Sequence, residues 1–339
     1  MLHLRAIVPA DRTEAVCAAL ADSSGATNVV VVPGAARSPA GDLVTADIAR
    51  ESANEILAAL RELGIDRDGG IGIEQVDLTL STSAERAEER APGYGEDAVV
   101  WEELDRRTAA DSVLSWSFVV FLALATQLAG IAALTDSPIL VVGAMVLGPE
   151  FGAVAAICLG IVHRNPRRIG TALRTLTVGF AIAIAVTYAC ALVSWWIGVI
   201  ELDRLPDSRP MTAFIYSPDR WSFIVALLAG AGGVLSLTAG KSSALVGVFI
   251  SVTTVPAAGN LAVALALRHG SEIDGSLLQL GLNLAGMIIA GTLTLLVQRR
   301  IWAFVLRRKG RRSPGSFAGS SPGGNPPGGR PGSGEGLGS

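Results

Sequence analysis

The chain has 339 residues, half of them hydrophobic and 17% charged, with a formal net charge of −3. That balance is too apolar for an ordinary water-soluble domain and points to the membrane class. Its basic residues flank apolar runs instead of forming a stripe of their own, which argues against a nucleic-acid partner.

Charge is divided along the chain. Residues 1–111 hold 21 Asp and Glu against 10 Lys and Arg, and the remainder holds 9 against 17. An acidic soluble part therefore precedes a membrane part set in a basic frame. No basic n-region followed by an apolar h-region opens the chain, so no cleaved signal peptide is expected and the soluble part should stay on the side where it is made. Cys17, Cys158 and Cys190 show no paired spacing, and His3, His163 and His269 are isolated. This predicts neither a metal site nor a cofactor.

In chain order, His3 to Val8 alternates as a strand, and Asp11 to Leu20 has helical spacing. Thr27 to Val32 and Leu43 to Ala49 read as strands, Ala53 to Leu63 as an amphipathic helix, and Ile71 to Leu80 as a last strand. The order β-α-β-β-α-β over residues 1–80 is the α+β ferredoxin-like plan. That fold hosts many tasks, so a ligand sensor and a plain assembly module both stay open. Residues 81–111 follow as a charged connector, with an amphipathic helix expected from Glu96 to Asp111.

Six apolar spans then read out as an α-helical integral membrane domain over 112–306. They are Val113–Leu134, Ile139–Val162, Thr171–Ile197, Ser222–Ala239, Ala244–Leu267 and Leu277–Leu306. From 307 to 339 a basic cluster runs into Gly, Ser and Pro, which predicts disorder. If both termini are cytoplasmic, thirteen Lys and Arg lie at the inner ends and four in the outer loops. The positive-inside rule favours that orientation.

The second span carries Gly148-Pro149 in its middle, followed at once by Glu150. Proline removes a backbone donor and clashes with the preceding turn, so the helix should break there. Freed backbone groups need protein or a water-filled cavity around them, and a carboxylate at that depth is by default functional. The fifth span resembles the second. It has Val255-Pro256, then Gly259-Asn260 and Ala262-Val263-Ala264, beside Gly152 and Ala153-Val154-Ala155. Each sits in the middle of three helices, the pattern of a 3+3 inverted repeat with two broken helices. Pro149 and Pro256 should then end half-helices near one another, close to the bilayer midplane. The candidate binding residues are Gly148, Pro149, Glu150, Val255, Pro256, Asn260 and Asn283. For both asparagines, an interhelical hydrogen bond that merely holds the bundle is the alternative role.

GAMVLGPEFG at 143–152, GAGGVLSLTAG at 230–240, LVGVFISVTTVPAAGNLAVAL at 245–265 and LLQLGLNLAG at 277–286 resemble a prokaryotic membrane family called domain of unknown function 389. It is also described as the uncharacterised hydrophobic-domain family. The resemblance implies a multi-pass protein of the bacterial inner (plasma) membrane and supplies no activity. Without a visible set of acid, base and nucleophile, no enzyme is expected. The residues lead to a transporter or channel for a small solute or ion, with the paired breaks as its site. The alternative is a membrane-anchored sensor or scaffold whose N-terminal domain binds a ligand or partner. The expected partners are the lipid bilayer, the unknown solute or ion, and further copies of the chain, since the glycine-rich fourth span offers packing surface.

Overall fold

The computed structural model describes residues 1–76, 78–91, 98–199, 209–239 and 254–310, without the side chains of 305–310. Its N-terminal part is β1 (Leu2–Val8), α1 (Thr13–Asp22), β2 (Ala26–Arg37), β3 (Ala40–Ile48), α2 (Ala53–Glu62), α3 (Ile65–Asp68) and β4 (Gly70–Gln75). The strands form one sheet in the order β2-β3-β1-β4, with every neighbouring pair antiparallel. Alternation decides which face is buried. Leu4, Ala6 and Val8 of β1 and Val44, Ala46 and Ile48 of β3 are buried with Val16 and Leu20 of α1 and Ile56 and Leu60 of α2. This is the β-α-β-β-α-β arrangement expected from the pattern. The last strand is shorter than expected: it ends at Gln75, and Leu78 and Leu80 are exposed.

The connector contains an unforeseen helix, α4 (Thr82–Arg90), whose cap is the Ser81 hydroxyl accepting from the Ala84 amide. The helix expected from Glu96 is α5 (Trp101–Asp111), and residues 92–97 lie outside the described residues. Asn54 ties the sheet unit to the start of α5, donating to the Val99 carbonyl at 2.8 Å and accepting from the Trp101 amide at 3.2 Å.

The apolar part comprises α6 (Trp116–Leu134), α7 (Pro138–Leu147), α8 (Glu150–Val162), α9 (Pro166–Trp196), α10 (Arg220–Thr238), α11 (Thr254–Leu267) and α12 (Gly270–Gly310). Four of these, α6, α9, α10 and α12, are long and apolar enough to cross a membrane, and α7 with α8 makes a fifth if counted as one broken span. They suggest a multi-pass membrane protein. Exposed tryptophans sit at helix ends, Trp116 on α6, Trp196 on α9 and Trp221 on α10, where amphipathic rings suit a membrane–water boundary.

The expected count of six spans is not reached among the described residues. Residues 244–253 of the expected fifth span lie outside them, and α11 alone, at about 21 Å, is shorter than the ~30 Å hydrocarbon layer. The C-terminal boundary also differs. Residues 307–310, expected in the tail, continue the backbone of α12, while 311–339 lie outside the described residues.

Candidate functional site

The chain breaks where proline dictates. Pro149 cannot donate and is the N-cap of α8, Gly148 is extended at φ −68° and ψ 120°, and α7 and α8 meet at a bend of 57°. No side chain caps α8. Its first-turn amides therefore point from a helix start, the end that favours negative charge. Glu150 places its carboxylate there, fully buried.

Glu150 is met from α11. Thr254 Oγ1 donates to Glu150 Oε1 at 2.7 Å, and both residues are buried. Val255 and Pro256 follow on α11, also buried. Pro149 lies between α7 and α8, at the break expected of it. Whether the fifth span is interrupted before Thr254 falls outside the described residues.

Two more polar groups reach the same level of the bundle. Asn260 Nδ2 donates to Ser276 Oγ at 2.9 Å, which sets α11 and α12 side by side as an antiparallel pair. Six residues back on α11 and seven forward on α12 are both about 10 Å, so Asn283 lies level with Thr254. Cys158 on α8 lies against the Ile288 carbonyl, and Val162 accepts from Arg299. That parallel register carries Glu150, eight residues before Cys158, to the level of residue 280 (about 12 Å back). Gln279 and Asn283, one turn apart on α12, are buried at 0% and 1% exposure, and neither side chain has a hydrogen-bond partner among the described residues. A bundle-holding amide would have its bonds made; among the described residues, these do not. Gln279 was not anticipated, although its spacing of four from Asn283 was a readable signal.

Asn260, by contrast, does not join the break. It lies about 9 Å further along α11, in a buried ionic cluster at the other end. Its Oδ1 accepts from Arg209 Nη1 at 2.9 Å, and its Nδ2 also donates to Glu272 Oε2 at 3.2 Å. Arg209 is ion-paired with Glu272, donates to the Ala133 carbonyl at 3.2 Å and stacks over the Tyr216 ring at 4.6 Å. Only 1% of Arg209 is exposed, although the sequence suggested an ordinary outer-loop cation.

On the connector side the break is approached by an open pocket of about 400 Å³, lined by Asp111, Ser115, Ser117, Phe118, Pro149 and Gly152. Asp111 packs so closely on Gly152 that a Cβ there would lie 2.3 Å from the Asp111 Cβ. Desolvation raises the Asp111 carboxyl above its ordinary pKa, against the opposing pull of Arg107. Helix α5 thus runs along α8, with the Trp101 and His163 rings 5.7 Å apart at one end and Asp111 against Gly152 at the other.

Residues 145–289 match the family model for Domain of unknown function (DUF389). The match begins in α7 and ends in α12, so Glu150, Arg209, Thr254, Asn260, Gln279 and Asn283 all fall inside the DUF389 segment. The sheet, α5 and α6 fall outside it. No curated protein and no solved structure matches the chain.

Proposed function

We propose that the chain is a membrane transporter or channel for a small solute or ion, with its site where α8 and α11 meet. The observation that carries this reading is the bond between Glu150, at the start of α8, and Thr254 of α11, level with two buried amides that have no hydrogen-bond partner among the described residues. Unsatisfied polar groups inside an apolar bundle are costly, about 1–3 kcal/mol each, and a passing solute or its water would satisfy them.

The senses of the helices agree with this. Helix α11 runs antiparallel to α12 and α8 runs parallel to it, so α8 and α11 leave their meeting point in opposite directions, as inverted halves would. The pocket beside Pro149 supplies an approach from the connector side. In this reading both termini are cytoplasmic, the membrane is a bacterial inner membrane, the protein self-associates and it carries out no chemical transformation.

The test is ion and solute flux in proteoliposomes, comparing the parent chain with Glu150→Gln and Thr254→Ala. The amide still accepts from Thr254, so folding should persist while coupled flux falls at least about tenfold, the equivalent of one lost charge-assisted contact. Unchanged flux in both variants would remove this meeting point from the pathway.

A further inference from the structure

Away from the bundle, a second cavity of about 270 Å³ lies between β4, α2 and α5. It is smaller than the ~300 Å³ at which pockets for drug-sized ligands begin, so it suits a compact molecule. Its floor is aliphatic, with Leu57, Ile71 and Val100 among its lining residues. Its rim carries three arginines and three acids, Arg61, Arg106, Arg107, Asp66, Glu102 and Glu103.

Most of those charges are already committed. Arg61 is ion-paired with Glu102, and Arg107 with Glu103 at 2.6 Å. Among the described residues this leaves Arg106 and Asp66 on the rim without an ion pair. They are one cation and one anion above an aliphatic floor. A simple anion would satisfy Arg106 but meet Asp66, and a simple amine would meet the reverse conflict. A molecule carrying both charges on a short aliphatic body satisfies all three features at once.

We propose that this cleft binds a small aliphatic zwitterion of the size of an amino acid, with its carboxylate toward Arg106 and its ammonium toward Asp66. The proposal does not depend on transport, since the cleft lies outside the DUF389 segment and uses none of the residues at the helix break. The ligand would sit against α5, whose opposite side packs on α8.

The experiment is calorimetric titration of the full chain in detergent micelles with L-leucine as the probe. Two half-molecules serve as comparisons: 4-methylpentanoate, which lacks the ammonium, and 3-methylbutylamine, which lacks the carboxylate. Hydrogen exchange over residues 57–75 and 98–107 reports where binding occurs. The expected result is saturable L-leucine binding with protection in those segments, weakened about tenfold or more by either Arg106→Gln or Asp66→Asn and in both half-molecules. Both substituted residues are exposed, and unchanged thermal unfolding of each variant verifies its fold. Any of three results overturns the proposal: no saturable binding of L-leucine up to about 10 mM, a free energy of roughly −3 kcal/mol; parent affinity retained in either variant; or either half-molecule binding as tightly as L-leucine.

Discussion

Replacing Gly259 by alanine tests the packing that brings Thr254 to Glu150. A Cβ at Gly259 would lie 2.6 Å from the Ala129 Cβ, 2.7 Å from the Gly130 nitrogen and 2.7 Å from the Thr126 carbonyl oxygen. Two of those three atoms are backbone, so no rotamer change on α6 can relieve the contact. Helices α6 and α11 must separate by roughly 0.7 Å to restore ordinary spacing, and a gap of that size forfeits a quarter to a half of each dispersion contact along the seam. Overpacking of this kind costs about 1–3 kcal/mol, against which alanine returns up to ~1 kcal/mol of helix propensity. Gly281, in α12, is the internal control: nothing lies within 4 Å of its Cβ position. Gly281→Ala should therefore be neutral or stabilising by up to ~1 kcal/mol; the propensity gain is common to both variants, which leaves the overpacking cost of about 1–3 kcal/mol between them. Thermal or denaturant unfolding of the purified chain in micelles measures that difference. Equal stabilities for Gly259→Ala and Gly281→Ala would show that α6 and α11 do not approach through Gly259, and the placement of Thr254 would fall with it.

Three further outcomes follow from the same geometry. Arg209→Met should destabilise by about 2–4 kcal/mol because it leaves the partly buried Glu272 without its cation, and Arg209→Met with Glu272→Gln should recover most of the loss; a double-mutant cycle in unfolding assays reads the coupling. Asn283→Leu should raise the unfolding temperature, since it removes a buried amide without a partner among the described residues, at a desolvation cost of about 1–3 kcal/mol, while lowering flux; a variant both less stable and fully active would contradict the assignment. His163 has its pKa lowered, first by desolvation, with Arg299 and Arg168 acting the same way and Asp105 and Glu102 opposing. The unfolded state therefore binds the proton more readily, so this contribution is intact above the ordinary value of 6.5 and is lost as pH falls through the lowered folded value. Hydrogen exchange in α5 and the last turn of α8 should accelerate over that window, and His163→Phe should flatten the response.

Much of this arrangement was legible because its cause is local. A proline within an apolar run must interrupt the backbone, and Gly148-Pro149 does so at the residue expected. Strand alternation gave the sheet unit for the same reason. Pro256 invites the same reading, but proline is also tolerated in a first helical turn, and the residues before Thr254, which separate the two, lie outside the described residues. Asn260 takes the second of its two expected roles, an interhelical bond to Ser276, and joins an ionic cluster that no local signal announced. Its partner Arg209 lies 51 residues away, and no local pattern joins a loop arginine to an amide inside a span.

The connector shows how that distinction shapes the reading of function. Its charges suggest a connector, and its apolar side makes a contact that they do not reveal: with Leu104 and Thr108 buried, α5 lies against α8, and Arg168 pairs with Asp105. The second half of the broken helix is thus flanked by a charged helix on one side and by the apolar bundle on the other. Helix α5 is in turn fastened to the sheet unit through Asn54 and Arg50. A continuous set of contacts therefore joins the helix that carries Glu150 to the N-terminal sheet. Loss of the Gly152–Asp111 contact, by Gly152→Leu, should loosen that connection while leaving the α11–α12 pairing through Asn260 and Ser276 in place.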